Sequence, residues 1–449
     1  MNPNNSLVTG SVGKRLISFS APIILANLIQ AIYGFVDMMV VGRYIGSAGM
    51  SAVSMGAQIT AVVMILVGGF SNGGTIISAQ LFGRGEQKEI PRILGTMLSF
   101  FAIIAVIVTI GLIIFARPLL AAINTPEVAF EQAVEYFLIC ILGTIFVYAY
   151  NSMGAILRGV GNSTVPMIIV ITTVILNAIL DILLIVIIPT GVAGAAIATI
   201  TCQFISMVLI SIYIKTKTEF FDFKLRSFKI NKPYLKLIVK IGLPQSIQFL
   251  FASSSAVFLS GLVNIYGVNA SAASGAVAKI QTLANLPAQG MMTGLLALTA
   301  QNLAANEPKR VMKGMFTGML FAGAISIVVY ALCFIFPTQA FRIFTPDTEV
   351  ITAGIEYLQL LAISFVLESF MFCMFGVIAG AGYTPLTMSC GILSAFVARY
   401  ASAWLLSQVF MMGFNGIGLS YVVGPIVSSA ICIAFLLTGK WKKPRVQVG

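Results

Sequence analysis

Asp37, Asp181 and Glu368 stand inside long apolar stretches, whereas the other eleven of the fourteen acidic residues fall in loops or at helix ends. A carboxyl group in such surroundings costs several kcal/mol, so its presence is by default a statement about function. Asp181 occurs in ILNAILDILL, four residues after Asn177. On a helix the two share a face, and together they offer hard oxygen ligands to a proton or to Na⁺. Asp37 occurs in QAIYGFVDMMVVG, fifteen residues after Pro22. Proline removes a backbone hydrogen bond and permits a bend, so this helix has the parts of a switch. Two basic residues, Lys279 and Arg399, also fall within apolar spans. They act either as partners that hold helices together with the buried acids or as contacts for an anionic or zwitterionic substrate.

What the chain lacks narrows the chemistry further. There is no histidine, so His-based metal sites, His-centred triads and His relays are excluded, and aspartates must carry any protons. GRG at 83–85 is not followed by Gly-Lys-Ser/Thr, so the phosphate-cradling loop of an ATP-driven motor is missing. No cofactor is expected beyond a coupling ion, H⁺ or Na⁺. The six cysteines lie in apolar stretches without metal-ligand spacing and read as small buried hydrophobes. Three separated acids with no Asp-rich metal motif make poor catalytic equipment, so no enzyme is expected. No repeated charged ring or filter loop marks a pore. GGFSNGG at 68–74 reads as close helix packing, since small residues let backbones approach in membranes.

The elements that position these groups are membrane helices. Hydrophobic residues make up 59% of the 449-residue chain and charged residues only 9%, proportions that no soluble fold could bury. Runs such as FFAIIAVIVTIGLIIFA (100–116) exclude the alternating strands of an outer-membrane barrel. Twelve spans are expected, at about 16–42, 51–72, 93–116, 133–157, 165–188, 192–214, 237–265, 274–300, 312–336, 353–379, 385–410 and 416–438. No cleavable leader is read at the start, and the first apolar helix is expected to direct insertion. Basic residues gather in alternate loops: Lys14 and Arg15, Arg84 to Arg92, Arg158, Lys215 to Lys240, Lys309 to Lys313, and a tail from Lys440 to Arg445. The opposite loops hold only Arg43, Arg117 and Arg342. Both termini are therefore expected in the cytoplasm. The net charge of +12 reflects topology, and no nucleic-acid partner is expected.

An internal offset of about 221 residues aligns TPEVAFEQAVEYFLICILGTIF with TPDTEVITAGIEYLQLLAISFV. The same offset pairs Glu135-Tyr136 with Glu356-Tyr357, Gly159 and Gly161 with Gly380 and Gly382, Gln80 with Gln301 and Lys88 with Lys309, and it brings Pro22 within one residue of Pro244. The expected organisation is an amino-terminal six-helix lobe (1–214), a basic cytoplasmic linker (215–236), a carboxy-terminal six-helix lobe (237–438) and a cytoplasmic tail (439–449). Six helices per half make the repeats parallel, an arrangement of transporter lobes that work by alternating access.

Several motifs in order resemble the multidrug and toxic compound extrusion (MATE) family over nearly the whole chain. They are Pro22 with Asp37 and VVGRYIG, SAQLFGRGE at 78–86, LRGVGNSTVP at 157–166, NAILD at 177–181 and GVAGAAIAT at 191–199. The resemblance implies an all-α, V-shaped pair of six-helix lobes that exports organic compounds, often cationic, in exchange for H⁺ or Na⁺. The amino-terminal lobe looks closer to the DinF-like branch, which implies an ion-coupling cluster at Asp37, Asn177, Asp181 and Thr199, with Tyr33 and Asn151 as neighbours. These would also be the ligands of any Na⁺. It further implies that protonation bends the first helix at Pro22. Glu368 matches the tenth-helix acid of the NorM-type branch, but the seventh-helix acid of that branch is absent from QSIQFLFASSSAVF. Lys279 and Arg399 are further departures. The alternative is a lipid or lipid-linked headgroup flippase of the same superfamily, whose headgroup those two cations would hold. Small organic molecules and membrane lipids are the expected partners, with no ATPase subunit. A monomer in a prokaryotic plasma (inner) membrane is expected.

Overall fold

The computed structural model describes residues 6–218 and 220–444; residues 1–5, Glu219 and 445–449, with Arg445 of the basic tail among them, lie outside the described residues. Helices carry nearly everything, and no strand occurs among the described residues. They run α1 (Val12–Tyr44), α2 (Gly46–Gly83), α3 (Ile90–Ala122), α4 (Glu127–Leu142), α5 (Thr144–Gly159), α6 (Thr164–Asp181) and α7 (Val192–Lys217). After the linker come α8 (Lys232–Asn264), α9 (Val268–Ala304), α10 (Pro308–Ile335), a one-turn α11 (Pro337–Arg342), α12 (Thr348–Gly380), α13 (Thr384–Ile392), α14 (Ala401–Trp404) and α15 (Gly413–Leu437). Wider five-residue turns follow α6 at Ile182–Ile187, link α13 to α14 at Leu393–Tyr400, and follow α14 at Leu405–Val409.

Among the described residues ten helical segments are long and apolar enough to cross a bilayer, and α4 with α5 forms an eleventh, bent by 44°. The twelfth expected span corresponds to α9, which is 37 residues long but rich in Ala, Ser, Gly and Asn. The expected single span over 133–157 is thus two helices. The break lies at Gly143, where a Cβ would come within 2.5 Å of Gln203 Oε1 and 2.7 Å of Ile200 Cγ1 on α7. The offset of about 221 residues places Ser364 there in the second half, and α12 runs through it unbroken.

The repeat is written into the backbone. Gly46 and Gly267 have φ of 89° and 93°, Gly85 and Asn306 have 78° and 60°, and Gly161 and Gly382 have 86° and 85°. Each pair ends a helix or opens a turn in the left-handed region that only Gly, and to a lesser extent Asn, adopts cheaply. Side-chain packing repeats as well. A Cβ on Gly159 would strike Ser78 and the Thr75 carbonyl, while one on Gly380 would strike Thr299 Cβ at 2.8 Å and the Leu296 carbonyl at 2.6 Å. These are equivalent positions in the two halves.

Two compact units result, one built mainly of Leu25–Gly242 and the other of Leu7–Ile24 together with the chain from Leu243 onward. Within the first, α2 packs on α4 and α5, and α6 packs on α7. Within the second, α12 is central and packs on α9, α10 and α15. Helices α1 and α8 each divide between the units. The first half of α1 belongs to the carboxy-terminal unit, where Gly290 and Gly294 of α9 accommodate Ile24 and Ser20. The first turns of α8 belong to the amino-terminal unit, where Gly73 lies against the Ile238 carbonyl and Gly242 against Phe70. Pro22 and Pro244 lie inside these two helices, within two residues of the crossing points.

Segments outside the helices are tied down by hydrogen bonds. Leu7 N–H donates to buried Gln301 Oε1 at 3.0 Å, and Arg310 donates to the Leu7 and Gly10 carbonyls at 3.3 and 2.9 Å. In the linker, Asn231 N–H donates to Thr96 Oγ1 at 3.1 Å, and the Tyr234 hydroxyl donates to Glu89 at 2.8 Å. The Ser227 hydroxyl donates to Asp222, which, with the Lys224 amide, holds that carboxyl below its usual range.

The glycine contacts set a test with opposite signs. Gly380→Ala, which drives a Cβ into the Leu296 carbonyl, should cost about 1–3 kcal/mol. Gly111→Ala, on α3 with nothing within 4 Å, should be neutral or stabilising by up to about 1 kcal/mol through helix propensity. Thermal unfolding of purified protein in detergent measures both, and equal effects would disprove the packing role.

Candidate functional site

The amino-terminal unit places Tyr33 and Asp37 one turn apart on α1, facing Asn177 and Asp181 one turn apart on α6. Asp181 is 1% exposed and Asn177 6%, so their polar atoms depend on one another. The Tyr33 hydroxyl donates to Asp181 Oδ2 at 2.6 Å, and Asn177 Nδ2 reaches Asp181 Oδ1 at 3.5 Å. Half-buried Asp37 lies beside both Tyr33 and Asp181. The wide turn Ile182–Ile187 begins directly after Asp181, and such turns inside helices recur at functional positions.

Tyr136 of α4 completes the group. It is 7% exposed and lies near both aspartates and Cys140. Its ring is admitted by Gly56, whose Cβ would sit 2.6 Å from Tyr136 Cδ1. Cys202 on α7 also lies near Asp181. Thr199, half-buried one turn before Cys202, makes no hydrogen bond to these carboxyls among the described residues. Asn151 turns back onto its own helix, donating to the Val147 carbonyl at 2.9 Å. The structure therefore assembles Tyr33, Asp37, Asn177 and Asp181, and leaves Thr199 and Asn151 without a direct bond to them. Tyr136 escaped sequence reasoning, although its pairing with Tyr357 across the repeat was a usable signal.

Neither aspartate has a basic partner among the described residues. Two adjacent carboxyls with only neutral donors carry charge that a low-dielectric helix bundle does not compensate. A proton bound between them, or a small cation held by carboxyl, phenol and amide oxygens, removes that charge. Among the described residues no group of three or more His, Cys, Asp or Glu side chains gathers to hold a metal ion.

The carboxy-terminal unit solves the same problem differently. Glu368 on α12, 3% exposed, accepts from Asn285 Nδ2 at 2.6 Å, from Gln281 Nε2 at 3.3 and 3.4 Å, and from Arg399 Nη2 at 3.1 Å. The guanidinium carbon of Arg399 stands 4.5 Å from the centre of the Tyr421 ring. Gln281 and Asn285 are four apart on α9 and share a face. Lys279, two residues from Gln281, points elsewhere: it is exposed, and its Nζ lies 5.9 Å from the Phe344 ring centre. Arg399 and Glu368 thus meet, while Lys279 bonds to neither among the described residues.

The two carboxyl environments predict opposite responses to isosteric amides. Asp181→Asn removes half of an uncompensated pair and should raise the unfolding temperature at neutral pH. Glu368→Gln strands the largely buried Arg399 charge and should cost about 3–5 kcal/mol. Comparable losses from both substitutions would show that the aspartates are compensated after all.

The halves of the chain also match known proteins. The MatE family model matches residues 22–183 and again 244–405, in step with the structural repeat. The probable multidrug resistance protein YpnP of Bacillus subtilis is 26% identical over 438 residues, covering 96% of each chain. The probable multidrug resistance protein NorM of Thermotoga maritima is 26% identical over 445 residues, covering 97% of this chain and 94% of that one. The solved structure of a MOP superfamily transporter from Pyrococcus furiosus superposes with a TM-score of 0.93 at 22% identity over 99% of both chains. Matched twice by one family model and aligned end to end with its relatives, the chain belongs to the MatE family of multi-pass membrane transporters.

Proposed function

We propose that the chain is a secondary antiporter that exports amphipathic organic compounds, multidrug in range and often cationic, in exchange for H⁺ or Na⁺ by alternating access. The names of its relatives as multidrug resistance and export proteins support this substrate class. The coupling ion binds at Asp37 and Asp181, with Asn177 and Tyr33 as supporting ligands, Tyr136 beside them, and Thr199 and Asn151 in an outer position. The protein works as a monomer in the plasma (inner) membrane of a prokaryote, both termini cytoplasmic, with membrane lipids around it. It catalyses no reaction and requires neither an ATPase subunit nor a nucleic acid.

One hydrogen bond carries most of the weight: the 2.6 Å contact from Tyr33 on α1 to Asp181 on α6. It ties the ion site to the one helix of this unit whose first half belongs to the other unit. An ion held between Asp37 and Asp181 draws α1 toward α6, and Pro22 supplies the bend that passes this movement along the helix. Release of the ion lets the two carboxyls separate. A membrane potential adds about 2.3 kcal/mol per charge per 100 mV. A shift from 1:99 to 99:1 between two states takes about 5.5 kcal/mol of differential binding, within reach of a site whose charge is uncompensated in one state.

The flippase alternative drew its strength from two intramembrane cations free to hold an anionic headgroup. Arg399 is engaged with Glu368, and Lys279 is exposed beside Phe344, so the exporter reading is favoured.

Inverted vesicles given a fluorescent organic cation on the outside, which is their cytoplasmic face, with H⁺ or Na⁺ concentrated in the lumen, test the proposal. The wild type should move the dye under one of the two gradients. Asp37→Asn and Asp181→Asn should abolish this while inserting normally. Tyr33→Phe, which deletes a hydrogen bond to a carboxyl worth about 1.5–3 kcal/mol, should change apparent ion affinity roughly tenfold or more, strengthening it if the ion is H⁺, because the donor favours the charged carboxyl, and weakening it if the ion is Na⁺, because the phenol oxygen is lost as a ligand. Full transport by either asparagine variant would sink the assignment of the site, and no dye movement by the wild type under either gradient would sink the substrate class.

A further inference from the structure

The carboxy-terminal unit contains a second polar cluster that the coupling reaction does not use, and its composition is unusual within the repeat. The offset of about 221 residues puts Thr60, Met64, Val147 and Ala178 of the first half opposite Gln281, Asn285, Glu368 and Arg399 of the second. The acid, its base and both amides are thus peculiar to one half, although the backbone around them repeats. Conversely, Asp37 and Asp181 stand opposite Phe258 and Ser402. Each half has one ionic centre, built from different positions.

The geometry of the second centre is that of a cation site. Glu368 contributes two carboxyl oxygens, which accept from the amide nitrogens of Gln281 and Asn285 on one face of α9. Tyr421 presents the face of its ring to the positive group. Asn285 is 8% exposed, and its Oδ1 has no hydrogen-bond partner, so a buried acceptor stands next to the carboxyl with nothing donated to it. A carboxyl and the free amide oxygen of Asn285 are ligands that suit a hard monovalent ion, and the ring face adds to the attraction. In this chain the positive charge among them is Arg399 Nη2, 3.1 Å from Glu368 Oε1, brought there by the widened turn Leu393–Tyr400.

We infer that Arg399 is a tethered cation: its guanidinium fills a monovalent-cation site formed by the Glu368 carboxyl and Asn285 Oδ1, which Gln281 braces, and so keeps that site from taking up exchangeable Na⁺. A free ion leaves when its gradient falls. A guanidinium anchored to its own helix does not, so the carboxy-terminal unit stays electrically closed throughout the cycle while the amino-terminal unit exchanges. Removing the arginine head should open the site. This inference concerns a cluster separate from Asp37 and Asp181 and does not rest on their role.

The test uses the full-length chain in detergent, carrying Asp37→Asn and Asp181→Asn so that the first unit contributes no carboxyl. Na⁺ binding is read by radioactive ²²Na⁺ and by thermal unfolding, against equal choline chloride. With Arg399 present no saturable Na⁺ binding is expected. Arg399→Gln should create it and raise the unfolding midpoint in Na⁺ over choline by about 5 °C. Adding Glu368→Gln should abolish that binding, and Arg399→Lys, which keeps a tethered charge, should leave the protein silent to Na⁺. Arg399→Gln protein that folds in Na⁺ but not in choline supports the same conclusion. The inference is overturned by saturable Na⁺ binding in the Arg399 protein that Glu368→Gln removes. It is equally overturned by an Arg399→Gln protein that folds without binding Na⁺, or that fails to fold in either salt; these are the results of a merely structural ion pair.

Discussion

A helix bundle in a bilayer cannot leave a charge uncompensated, and this single constraint organises the polar interior of the chain. Backbone groups meet it by forming helices, since every N–H and C=O finds its partner within the segment. Side chains meet it locally, as Ser and Thr hydroxyls do in many places by donating to carbonyls four residues back, Ser152 to Tyr148 and Ser211 to Met207 among them. Carboxyl groups have no such local outlet. Glu368 is compensated by Arg399, whereas Asp37 and Asp181 are left with a phenol and an amide. The difference separates an ion pair from two carboxyls with no counter-charge among the described residues, the place where the proposed coupling ion would act.

The same constraint explains why one backbone can serve two purposes. Positive-φ turns at Gly46/Gly267 and Gly161/Gly382 and the tight crossings at Gly159/Gly380 recur because they fix where helices meet. None of them touches a charge. The polar residues sit between those fixed points, on faces of α1, α6, α9 and α12 where a side chain can change without moving a helix. Glycine contacts below van der Waals distance tolerate no such freedom. The scaffold is therefore the repeated part and the ionic centres the divergent part.

Much of this was legible in the residues. Spacing of four put Asn177 and Asp181 on one face, the apolar runs fixed nearly every helix, and the offset of about 221 residues named glycines that the backbone then repeats. Arg399 and Glu368 were readable as a pair only among alternatives, because residues 31 apart on different helices leave no periodic signal. Lys279 looked equivalent to Arg399, yet two residues along a helix from Gln281 turns it to the other side. The bend at Gly143 was invisible because both flanking segments are equally apolar, and its cause lies on α7. Widened turns leave no compositional mark, so the backbone beside Asp181 and around Arg399 could only be seen in three dimensions.

The exchange of helix halves ties these parts together. Because Leu7–Ile24 packs with the carboxy-terminal unit while Tyr33 and Asp37 sit in the amino-terminal one, α1 carries the proposed ion site on one arm and a packed anchor on the other. The anchor is stiff: Ser20 and Ile24 press into Gly294 and Gly290 with no room for a Cβ, and the preceding strap is held by Gln301, Asn302 and Arg310. Pro22 lies within that anchored arm, two residues before it ends, where a missing backbone hydrogen bond lowers the cost of bending. Helix α8 has the same division and its own Pro244, but its second half carries no acid; its polar residues are neutral, among them Gln245, Gln248 and Ser253 to Ser255. A lever without a titratable load has nothing to sense. Under the proposed coupling, the ion chemistry therefore loads α1 and leaves α8 without a comparable group.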